Sequence, residues 1–113
     1  MSETEFSTTG VTEFSATGVR IDRWARSVTR AGQVTVKDGR VALLTSYGRE
    51  IDSAPVGTVS AGRSWFAGAD AMVAWVNGTR YRLTMRPPDG KPGDAAPAHR
   101  FLEALYSAGG RRT

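Results

Sequence analysis

The sequence predicts a mainly β fold: a small antiparallel β-barrel or bent sandwich of six or seven strands, closed by one C-terminal α-helix. Three observations point there. The turn-forming pairs Asp38-Gly39, Tyr47-Gly48 and Asn77-Gly78 each separate short runs rich in Val, Leu, Ile, Thr and Tyr. Those runs alternate apolar and polar side chains, as strands with one buried face do. Near the end, Ala98, Phe101, Leu102 and Leu105 follow helical spacing instead.

The elements follow in order. Residues 4–11 and 12–19 are near-identical octapeptides that differ only at Thr8 and Ala16. Two copies of eight residues are too short for a solenoid. The Ser/Thr/Gly-rich first copy reads as a flexible tail over 1–11, and the second leads into Val19-Arg20-Ile21 as a first strand. Residues 12–113 then read as a single domain. From Gly32 to Lys37, Val34 and Val36 share one face. A two-residue loop at Asp38-Gly39 pairs Lys37 with Arg40, Val36 with Val41 and Val34 with Leu43, so register and hydrophobic pattern agree. For the next hairpin, a three-residue loop at Ser46-Tyr47-Gly48 sets Leu43 opposite Ile51 and Val41 opposite Ser53. It is preferred because the shorter loop would set Leu43 opposite Asp52, a poor core pair. Pro55 ends that strand. A further strand is expected over Val59–Phe66, and the last hairpin joins 71–76 to 79–86 around Asn77-Gly78. The Pro- and Gly-rich stretch 87–93 is a loop. The helix is capped by Asp94 or Ala96, stops at Gly109 and has Arg111 and Arg112 beside its negative end. Val34, Val36, Val41, Leu43, Ile51, Tyr81, Leu83, Phe101 and Leu105 are the expected core, with Trp24 and Trp65 in the core or at its rim.

Composition narrows the function. Among 113 residues there is no Cys, which excludes disulfides, thiolate metal sites and Cys nucleophiles. No apolar run approaches the ~18 residues of a spanning helix. The acidic start Met-Ser-Glu-Thr-Glu does not read as a secretory signal, so a cytoplasmic location is expected. The first nineteen residues contribute −3 to a net charge of +4, so the rest carries +7. Such a surface steers toward phosphates or anionic lipid, although GC-rich coding drift alone also yields an Ala-, Gly- and Arg-rich chain.

The segments GQVTVKDGRVALLTSYGREIDSAPV, WVNGTRYRLTM and AAPAHRFLEALYSAG, within residues 32–108, give this order of strands, turns and helix. In that order the chain resembles the pleckstrin-homology-like and GRAM-like domains of bacteria. The resemblance implies a bent barrel closed at one end by its helix, and a binding scaffold rather than an enzyme. Members with phosphoinositide affinity carry a basic cluster around the first two strands. Here that region holds Arg20, Arg23, Arg26, Arg30 and Lys37, the candidate lipid-binding set.

No catalytic, cofactor or metal constellation emerges. His99 is the single histidine and reads as a solvated helix residue. No Gly-rich phosphate loop precedes a helix. Glu50 and Asp52 lie on one strand and are expected to point outward beside Lys37 and Arg40, as a solvated mixed-charge face. The last hairpin is more informative. Its register turns Val76, Ala74, Met72, Tyr81, Leu83 and Met85 inward, leaving Val73 and Trp75 outside with Arg80, Arg82 and Arg86. A Trp flanked by Arg on an outer sheet face is typical of interface anchors, and Trp75 faces Arg80 within cation–π reach. No RNA-binding aromatic motif is present, and Asp and Glu are scattered, which argues against nucleic acid. The expected role is a noncatalytic module that binds a protein partner or itself. The alternative is peripheral binding to an anionic membrane or phosphorylated lipid headgroups.

Overall fold

A computed structural model of the protein describes residues 13–23, 26–63, 71–85 and 96–112. Their order is β1 Phe14–Arg23, β2 Arg26–Lys37, β3 Arg40–Leu44, β4 Glu50–Pro55, a 3-10 turn Val56–Thr58, β5 Ser60–Arg63, β6 Ala71–Val76, β7 Thr79–Thr84, α1 Ala96–Ser107 and β8 Arg111–Arg112. One sheet carries the eight strands in the order β4-β3-β2-β1-β7-β6-β5-β8. All neighbours are antiparallel except β5 and β8, which are parallel. The sheet stays open along its ladder and bends around one core.

Two hairpins have the register their turns dictate. Asp38 and Gly39 take φ of 53° and 75°, and Asn77 and Gly78 take 53° and 77°. Positive φ at both central residues matches the twist of the flanking strands. Val36 accordingly faces Val41 and Val34 faces Leu43, while Ala74 faces Tyr81 and Met72 faces Leu83.

The hairpin between them has the expected loop but departs from the expected register beyond Leu44. Thr45 and Arg49 close the expected three-residue loop Ser46-Tyr47-Gly48, with the Thr45 N–H on the Arg49 carbonyl at 2.8 Å and the Arg49 N–H on Thr45 Oγ1 at 3.1 Å. Gly48 has the expected left-handed conformation, with φ of 83°. The ladder then slips between Leu44 and Leu43, so Leu44 faces Glu50 but Leu43 faces Asp52 and Val41 faces Ala54. Ala54 is buried, and Ile51 packs partly buried against the core. Asp52 therefore does not lie on a solvated outer face with Glu50. It is held by Tyr81 on β7 and by Asn77 in the β6–β7 turn.

The core matches the sequence pattern closely. Of the nine expected residues, all but Ile51 are at most 1% exposed. Val19, Ile21, Met72 and Met85 join them. Helix α1 lays Ala98, Phe101, Leu102, Ala104 and Leu105 onto the sheet. Phe14 meets Phe101 edge-to-face, with centroids 5.6 Å apart and planes at 73°.

Two other expectations are revised, and a third is seen in part. The strand before Lys37 reaches back to Arg26, longer than the run from Gly32. The expected strand over Val59–Phe66 is seen as Ser60–Arg63, and residues 64–70 lie outside the described residues. Arg111 and Arg112 do not remain at the helix terminus. Gly109 turns the chain at φ 111°, the Gly110 N–H caps the Leu105 carbonyl at 2.8 Å, and the arginines form β8 with an Arg111 N–H to Val59 carbonyl bond of 2.9 Å. Trp24, Trp65, Arg86 and Asp94 lie outside the described residues.

Candidate partner-binding face

The β6–β7 hairpin sets the outer face because its register alternates strictly. Inward-facing Met72, Ala74, Val76, Tyr81 and Leu83 are buried. Val73, Trp75, Arg80 and Arg82 are thereby turned outward, and Trp75 is 41% exposed. The ladder places Ser60, Trp75 and Arg80 in one row across β5, β6 and β7. Gly62, Val73, Arg82 and Asp22 form the next row, which reaches β1. Trp75 and Arg80 are direct cross-strand partners, but the cation–π contact seen among the described residues lies elsewhere, with Arg112 over Tyr106 at 4.7 Å.

Asp22 is the residue that sequence reasoning missed. Only 4% exposed, it accepts Arg20 Nε on Oδ1 at 3.3 Å and an Arg82 terminal nitrogen on Oδ2 at 3.4 Å. Both guanidinium side chains remain half-exposed. Arg20 from the candidate lipid set and Arg82 from the candidate protein set thus share one carboxylate. The adjacency of β1 and β7 makes the two sets continuous at this point. An Arg-x-Asp alternation on one strand face was the available sequence signal, but the third partner stands sixty residues away.

The rest of the basic set is dispersed. Arg20, Arg23, Arg30 and Lys37 are all exposed. Arg30 and Lys37 lie seven residues apart on β2, roughly 23 Å along a strand. Arg26 begins β2, opposite Arg23.

Two further features escaped the sequence reading. Tyr47, singled out only as a turn residue, is 96% exposed at the tip of the β3–β4 loop. A cleft of about 600 Å³ separates α1 from the β5–β8 edge. Arg63, His99, Glu103, Tyr106 and Arg112 line it, and His99 is exposed there as a helix-surface residue. The Tyr106 hydroxyl donates to the Ala61 carbonyl at 2.7 Å. Burial raises the Tyr106 phenol above its ordinary value near 10, and Arg112 opposes that shift.

Asp52 is occupied structurally. Its Oδ2 accepts the Tyr81 hydroxyl at 2.7 Å, and its Oδ1 accepts Asn77 Nδ2 at 2.7 Å and the Ser53 N–H at 2.9 Å. Those bonds hold β4 to the β6–β7 hairpin. Among the described residues no group of three or more His, Asp or Glu could hold a metal ion. No helix among them is long and apolar enough to cross a membrane.

Comparison with protein-family models finds none that matches, and comparison with curated proteins finds no relative. Solved structures do contain the architecture. The chain is similar to the solution structure of the pleckstrin homology domain of mouse Ethanol Decreased 4 protein, at a TM-score of 0.61 and 10% identity. The alignment covers 85% of each chain. At that identity the likeness carries the fold alone: eight strands in a bent, open sheet with a C-terminal helix make a pleckstrin-homology-like fold.

Proposed function

We propose that the protein is a noncatalytic interaction module that binds a second protein chain through the outer face of β6 and β7. The observation that carries this reading is Trp75, exposed beside Val73 and flanked by Arg80 and Arg82 on a rigid two-stranded surface. A half-exposed indole offers a large apolar contact at low entropic cost, and neighbouring guanidiniums supply directional bonds at its rim. Arg86, four residues beyond Arg82 in the sequence, belongs to the same proposed set. A GRAM-like kinship rests on the strand and turn pattern of 32–108 and goes beyond the fold comparison.

The alternative site is Arg20, Arg23, Arg26, Arg30 and Lys37 against an anionic membrane. The shared Asp22 and the spread along β2 weigh against a single phosphate pocket there. Affinity capture from native lysate, run beside sedimentation with phosphatidylserine vesicles, separates the readings. A defined partner lost on Trp75→Ala, with negligible vesicle binding, is expected. Salt-sensitive vesicle binding lost on replacing Arg20, Arg23 and Arg26 would overturn the protein reading.

A further inference from the structure

We propose that residues 4–11, the first copy of the duplicated octapeptide, fill the strand position of the second copy in another molecule of this chain. Two chains are thereby joined by reciprocal strand exchange.

The second copy shows what that position demands. Phe14 lies opposite Val36 and meets Phe101 edge-to-face. Gly18 adopts φ 68° where the β1–β2 ladder shifts between Thr17 and Val19. Val19 is fully buried opposite Gly32. Phe6, Gly10 and Val11 stand at the same spacing in the first copy. The one difference falls at Ala16, which is only partly buried opposite Val34, so the β-branched Thr8 suits a strand there.

The position is also separable from the rest of β1. Residues 14–17 pair with β2, whereas pairing with β7 begins at Arg20. The first half can leave without opening the centre of the sheet. When residues 4–11 of one chain occupy the partner's position, its own residues 12–19 become the crossing segment, which spans roughly 26 Å when extended. A strand exchange without a duplicate would have no such spacer. The reciprocal arrangement closes as a two-fold dimer. Because like replaces like, and each resident copy has the advantage of tethering, the dimer is weak and depends on concentration. The exchange uses β1 rather than the β6–β7 face, so its failure leaves the proposed function standing.

The absence of Cys makes the test clean. Ser15 faces Thr35, so Ser7 in the same position would face Thr35 of the other chain. Full-length protein carrying Ser7→Cys and Thr35→Cys is oxidised and its disulfides are mapped by mass spectrometry. A 7–35 linkage between two chains is expected. A 7–35 linkage within one chain, a 7–7 linkage alone, or none overturns the proposal. Sedimentation equilibrium supplies a second reading. Phe14→Ala should tighten the dimer at least about tenfold by weakening the resident copy, and Phe6→Ala should loosen it. A dimer unchanged by either substitution also overturns the exchange.

Discussion

The Asp52 carboxylate accepts the Tyr81 hydroxyl at 2.7 Å, tying β4 to β7 across the interior of a sheet whose ladder never closes. Asn77 adds bonds of 2.7 Å from its Nδ2 to Asp52 and to the Ser53 carbonyl. Side chains thus stitch the β4 edge to the β6–β7 turn where backbone pairing is absent. Removing the carboxylate strands a hydroxyl on a residue that is 1% exposed. Asp52→Ala is therefore expected to cost roughly 2–3 kcal/mol, and Tyr81→Phe about 1 kcal/mol, because Phe leaves Asp52 its other donors. Urea denaturation of both variants checks the order. Equal stability of Asp52→Ala and the unaltered chain would remove the stitch from the account.

Alkaline pH should act on the same bond. Burial, reinforced by the bond to Asp52 and its charge, raises the Tyr81 phenol above 10, with Arg23 opposing. Tyr106 is raised as well, mainly by burial. A raised folded-state value means the fold favours the protonated phenol. That contribution is complete below the unfolded value near 10 and is lost as pH climbs through the raised folded values. Melting temperature should fall from about pH 9.5 upward, and less steeply in Tyr81→Phe. An identical alkaline slope in the variant would contradict the assignment.

Local rules made most of the fold legible. Val34, Val36, Val41 and Leu43 could be paired because a two-residue turn with Gly at its second place permits one register. The same logic failed at Leu43 and Asp52. Pairing two apolar residues looked better than setting a carboxylate beside Leu43, but Asp52 is satisfied by residues 25 and 29 positions away. Asp22 escaped for the same reason, since Arg82 reaches it only through the β1–β7 neighbourhood. The outer face of β6 and β7 was legible because strict alternation needs no tertiary knowledge. β8 was not, because a two-residue strand has no periodicity to read.

The Asp22 clamp makes its own prediction. Arg20 and Arg82 are half-exposed, so water can replace the lost acceptor once Asp22→Asn removes its charge. Stability should change by no more than about 1 kcal/mol. Two guanidiniums on β1 and β7 then lose their shared counter-charge, and the net charge rises by one. Binding to anionic vesicles should rise over the unaltered chain at low salt and converge with it at high salt. Unfolding of Asp22→Asn under native conditions would show that the carboxylate is structural instead.

Gly32 is the position where the smallest change should do the most harm. It lies buried in β2, opposite Val19, where β1 shifts register. A methyl group there would strike the Leu44 carbonyl of the neighbouring strand, Thr29 Cγ2 and Ile21 Cδ1. Side chains can rotate away, but a laddered carbonyl moves only with its strand. By contrast, a Cβ at Gly57 meets no atom within 4 Å. Gly32→Ala is thus expected to cost roughly 1–3 kcal/mol by overpacking, while Gly57→Ala stays within about 0.5 kcal/mol. The pair is compared by thermal melting in one buffer. If both variants melt together, the close approach of the Leu44 carbonyl to Gly32 does not limit stability.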